Sequence, residues 1–152
     1  MNQWWSHPWK RIGFLVGLFV LVFGLTFGII RLFGDQGEDA KDTALAFYDA
    51  VWIKGNFSEA KKYLIKDQHD KLRDHMNAVP KIRFDAKPVM VGETEENGAK
   101  KVYIRRPEAF FILTLKQEDR WMVQDFHLST TEYEWINFKT DHPEIEWEQT
   151  SL

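Results

Sequence analysis

The sequence predicts an α+β domain carried on one N-terminal transmembrane helix. Three observations predict it. Between Ile12 and Ile30 only Thr26 is polar. From Asp39 to about Pro80 apolar residues recur at helical spacing, and after Pro80 they alternate as in strands around turn signals. Helices followed by a strand meander form the pattern of helices packed on one face of an antiparallel sheet. The predicted divisions are a cytoplasmic segment 1–11, a transmembrane helix 12–33, a linker 34–38, the α+β domain 39–128 and an acidic, aromatic C-terminal segment 129–152.

The 19 residues Ile12–Ile30 span about 28 Å as a helix, close to the ~30 Å hydrocarbon thickness. Lipid offers the backbone no hydrogen-bond partner, so helix is the required form. A cleaved signal peptide has an apolar region of about 7–15 residues and a small-x-small site. The run here is longer and "IIRLFGDQGED" offers no such site, so an uncleaved signal anchor is expected. Trp4, Trp5 and Trp9 precede the run and read as an interfacial belt, since indole settles at the headgroup level. Lys10 and Arg11 flank one end, and Arg31 followed by Asp35, Glu38 and Asp39 flanks the other. Basic residues stay in the cytoplasm. The N-terminus is therefore expected inside, and the domain outside, a cell membrane.

Gly13, Gly17, Gly24 and Gly28 form two G-x-x-x-G pairs. At about 100° per residue they fall within one stripe of roughly 60°. A stripe without side chains lets another helix approach closely. The expected partners are the bilayer and, through this stripe, a second copy or another membrane subunit.

Composition narrows the function. The first 34 residues carry only Lys10, Arg11 and Arg31 as charges. Removing these three from the 20 basic residues leaves 17 against 23 acids, a net of −6. Such a balance argues against a nucleic-acid surface, which needs basic patches. The chain has no cysteine, which excludes disulfides and thiol chemistry.

In the domain, Ala40, Ala44, Phe47, Tyr48, Val51 and Trp52 predict a helix from Asp39 to Gly55, with Gly55 as its stop. Asn56 and Glu59 fit a capping box opening a second helix to about Lys66. Asp67 caps a third through "QHDKLRDHM", with Lys66/Asp70 and Asp67/Lys71 as i,i+4 pairs. Asn97-Gly98 marks a hairpin. "AFFILTL" and "RWMVQDFHL" form a second hairpin around "KQED", and Lys81–Phe84 is a candidate extra strand.

"ALAFYDAVWIKGNFSEAKKYL" resembles the opening helices of the nuclear-transport-factor-two-like (cystatin-like) superfamily, and "DRWMVQDFHL" is similar to the closing strand of its bacterial extracytoplasmic members. The resemblance covers about Asp39 to Leu128. It implies a cone-like fold, with a curved sheet wrapped round a long helix. It also implies a role among small single-pass envelope proteins, which include secretion-assembly factors. Enzymes of the superfamily place Asp, His or Tyr inside the cone mouth.

Alternation places Trp121, Val123, Asp125 and His127 on one face of the last strand. Asp125 and His127, with Tyr103 from a neighbouring strand, are the candidate pocket residues for acid/base work. His69, His75 and His142 lack metal-ligand spacing, and no phosphate loop or nucleophile elbow is present. No catalytic, cofactor or metal site is predicted. The C-terminal segment is acidic yet aromatic, unlike a disordered tail. It either folds back over the domain's own sheet or presents Trp135 and Trp147 to a partner, with "EIEWE" alternating like an edge strand. The expected function is a non-catalytic subunit or assembly factor of a membrane complex. The alternative is a membrane-anchored pocket protein that binds or converts a small ligand.

Overall fold

The computed structural model describes residues 39–78 and 83–152. The expected anchor, its glycine stripe and its Trp, Lys and Arg flank lie outside the described residues. Among the described residues no helix is long and apolar enough to cross a membrane. The domain is α+β, with helices packed on a five-stranded antiparallel sheet of order β4-β3-β2-β1-β5.

Helix α1 (Ala40–Tyr48) runs directly into a π turn (Asp49–Ile53). The wider turn allows three consecutive residues, Ala50, Val51 and Trp52, to be buried. Lys54 N–H reaches back five residues to Asp49 O at 2.8 Å, and Asn56 N–H reaches Ala50 O at 2.7 Å. Gly55 closes the helix at φ +62°, a conformation that suits glycine. Asn56 then caps α2 (Phe57–Ala60), accepting from Glu59 N–H at 3.1 Å. The other half of a capping box does not form, because Asn56 N–H is already committed to Ala50.

The second helix is one turn long, not the expected run to Lys66. Strand β4 (Trp121–Ser129) captures the chain that follows it. Val123 N–H donates to Tyr63 O at 2.7 Å, and Ile65 N–H donates to Val123 O at 3.0 Å. Sheet bonds thus replace helical ones for these backbone groups. A 3-10 turn (Lys66–Gln68) leads into α3 (His69–Ala78). The expected i,i+4 pairs are not formed among the described residues. Lys71 pairs with Asp125 instead, and Arg73 with Asp70 at 3.0 Å. Arg83 and Phe84 lie outside any strand. Phe84 N–H bonds Trp52 O at 2.9 Å, tying the chain back to the first helix.

Strand β1 (Val89–Glu96) pairs with β2 (Ala99–Arg106) around Asn97 (φ 54°) and Gly98 (φ 75°), both left-handed as a type I′ turn requires. Strand β3 (Ala109–Gln117) follows β2 and pairs along its whole length. One face of this sheet carries Val91, Val102, Ile104, Phe111, Leu113 and Leu115, packed with Phe47, Tyr48 and Trp52 into the main core. Intervening residues Tyr103 and Phe110 point to the opposite face and belong to a second cluster.

That opposite face is also covered, which corrects the expectation of helices on one face only. Helix α4 (Glu132–Asp141) lays Trp135 and Phe138 on Tyr103 and Phe110, and β5 (Glu148–Thr150) pairs with Val89–Val91 of β1. The uninterrupted apolar run "AFFIL" in β3 reflects burial on both faces.

Candidate functional site

The expected pocket residues Tyr103, Asp125 and His127 fall on one face of the sheet, and a β-bulge in β4 turns Trp121 and Val123 to the other. The register steps from Thr114↔Asp125 to Leu115↔Val123, leaving Gln124 as the extra residue. A bulge shifts the period-two alternation. Val123 and Phe126, three apart, therefore both enter the main core. Trp121 and Val123 do not share a face with Asp125 and His127, contrary to the simple alternation.

Asp125 ion-pairs with Lys71, while His127 Nε2 lies 3.5 Å from Glu134 Oε2 on α4. Ser129 and then His127 hold the Glu134 carboxyl below its ordinary pKa. Tyr103 OH shares a 3.0 Å hydrogen bond with Thr94 Oγ1. Tyr103 pairs with Ile112 and Ile112 with His127, so Tyr103 and His127 stand two strands, roughly 10 Å, apart. Each of the three is engaged by a different partner, and no nucleophile–base relay links them. His69 Nε2 contacts Leu64 O at 3.2 Å, and His142 Nδ1 contacts Glu144 at 3.2 Å. Among the described residues no group of three or more acidic or histidine side chains is placed to hold a metal ion.

Two buried polar constellations escaped the sequence reading. Trp52 Nε1–H donates to His75 Nε2 at 3.2 Å, and Phe126 packs edge-on against the same imidazole. Burial, and secondarily Lys71, lowers the His75 pKa. Arg106, 3 % exposed, donates to Tyr48 OH at 3.1 Å, to Asp85 O at 2.7 Å and to Glu108 at 3.0 Å. Its guanidinium lies over the Phe84 ring. Burial raises the Tyr48 pKa, so the phenol stays neutral. These groups satisfy one another inside the core, where an unpaired polar group would be costly.

The accessible chemistry gathers where the C-terminal segment meets β1. A cleft of about 450 Å³ has Tyr103, Ile112 and Phe138 among its lining, with Thr94, Glu95 and His142 at its margin. An adjoining cleft of about 500 Å³ involves Gly92, Glu93, Glu146 and Trp147, and Glu144 borders both. Gly92 is required here. A Cβ at this position would stand 2.5 Å from Ile145 Cγ2. Trp135 and Trp147 meet edge to face at 5.1 Å, and Arg105 lies over Trp135 while pairing with Glu132 at 2.7 Å. Both indoles are therefore half-buried against the domain's own sheet. The result is a shallow surface with an aromatic floor, bordered by glutamates and by Lys41 and Lys101. No family model matches the chain, and neither a curated protein nor a solved structure matches it.

Proposed function

We propose that this chain is a non-catalytic single-pass membrane protein that serves as a subunit or assembly factor of a membrane complex. Its N-terminus is cytoplasmic and its acidic domain extracytoplasmic. The observation that carries this reading is the run Ile12–Ile30, apolar but for Thr26, with four glycines on one stripe. Support comes from the domain as well. Asp125, His127 and Tyr103 hold separate partners, and the open clefts are bordered by carboxylates. We assign the domain to the nuclear-transport-factor-two-like superfamily, with a cone-like sheet curved round the first helix. The order of helices before an antiparallel meander supports that assignment.

The cleft over Tyr103, Ile112 and Phe138 favours a second reading, a membrane-anchored domain holding a small apolar ligand. Affinity purification of the full chain from membranes in mild detergent separates the two. Stoichiometric protein partners are expected under the first reading, and a lone chain carrying ligand under the second. A full-length chain that is soluble and monomeric without detergent overturns both.

A further inference from the structure

The sheet ends unevenly on its β1 side. Strand β5 pairs only with Val89, Met90 and Val91. Beyond Val91, β1 continues for five residues, Gly92–Glu96, whose other edge is paired with β2. Among the described residues no backbone hydrogen bond reaches their outer edge. Both clefts open along this stretch, one beside Gly92 and Glu93 and the other beside Thr94, Glu95 and Glu96. A bare strand edge is a template for another strand.

Charge selects the occupant. Glu96 is neutralised by Lys101 at 2.7 Å, Glu148 by Lys41, and Glu144 contacts His142 at 3.2 Å. Glu93, Glu95 and Glu146 are exposed and have no ion pair among the described residues. A second copy of this chain would bring the same carboxylates against themselves, and like charges oppose edge-to-edge pairing.

We propose that the free edge of β1 from Glu93 to Glu96, beyond the buried Gly92, accepts an extended, basic segment of a partner protein. The segment adds a strand where β5 stops and sets Lys or Arg side chains against Glu93, Glu95 and Glu146. Main-chain bonds supply the affinity and the carboxylates the selection. This deepens the docking role proposed above and rests on it.

The test uses the full chain in detergent micelles and a fluorescein-labelled peptide of alternating Lys and Val, read by polarisation. The Lys–Val peptide is expected to bind, and its Glu–Val counterpart is not. Methylating alternate peptide amides leaves charge intact and removes strand pairing, so affinity should fall about tenfold or more. Glu93→Gln with Glu95→Gln and Glu146→Gln should weaken binding by a similar factor at an unchanged melting temperature. Glu118→Gln with Asp119→Asn, on the β3–β4 turn two strands away, should leave it unchanged. Equal binding of the methylated peptide, or wild-type binding by the triple variant, overturns the proposal. Failure to bind the Lys–Val peptide, or cross-linking of Glu95 to a second copy, does so too. These failures are separate from failure of the membrane role, which is read by whether partners co-purify from membranes.

Discussion

Trp52 is 2 % exposed and contacts Phe47, Phe111 and Phe126 in addition to His75. Because Trp52 Nε1–H donates to His75 Nε2, that nitrogen must carry a lone pair, and His75 is held neutral. Its folded pKa lies below the ordinary value of about 6.5. Above that pH the imidazole is neutral in both states and the contact contributes fully. As pH falls below it, the unfolded chain takes up the proton first and stability is lost down to the depressed folded pKa. Melting temperature measured from about pH 7 to pH 5 should therefore fall more steeply for the wild type than for His75→Phe. Equal slopes would show that His75 is not the group responsible. Gly92 makes a different demand, one of space. Gly92→Ala drives a methyl into Ile145 and should destabilise by about 1–3 kcal/mol, as overpacking does. The check is urea denaturation of full-length wild type and variant under identical detergent conditions, and an unchanged midpoint would refute the close packing.

Among the elements, the C-terminal one is the most consequential. Tyr103 and Phe110 are 3 % and 2 % exposed, and they owe this to Phe138, Trp135 and Ile145. A chain stopped after Ser129 loses α4 and β5, uncovers that aromatic face and frees the whole outer edge of β1. The truncated chain should lose several kcal/mol, at roughly 25 cal/mol per Å² of apolar surface uncovered. It should also bind a hydrophobic dye. An unchanged melting temperature would mean that the segment contributes nothing to the fold and is available to a partner. The outer face of α4, by contrast, leaves Tyr133 and Ile136 exposed at 74 % and 54 %. Removing the sheet-facing aromatics and removing these two are thus separate experiments, one on stability and one on surface contact.

At the scale of the whole molecule, the net −6 portion and the apolar run divide the labour. The run is proposed to hold the chain in the bilayer and to meet a neighbouring helix, while the domain offers an acidic surface. Gly17→Ile with Gly24→Ile fills the stripe and should reduce recovery of membrane partners about tenfold, since close helix approach is lost. Yield and domain melting should stay the same. Undiminished recovery would make the stripe incidental and leave docking to the domain alone.

Local chemistry made several features legible. Gly55 stops the first helix, Asn56 caps the second, and Asn97-Gly98 turns the hairpin, because each is decided by backbone conformations of neighbouring residues. Apolar spacing likewise marked Phe47, Tyr48 and Trp52 as core. By itself, then, the sequence determined the order of α1, α2, α3 and strands β1–β4, while the helical form of α4 was not legible in the acidic, aromatic tail. Only the tertiary structure decided where they stop and what they face. Tyr63 and Ile65 leave the helix because Val123, far along the chain, offers sheet bonds. The alternation of β4 breaks at Gln124 because Phe126 must join Val123 in the core. The acidic tail closes over Tyr103 and Phe110 because Gly92 leaves room for Ile145. Each outcome is a competition for hydrogen bonds or for space between distant segments, which no local window contains.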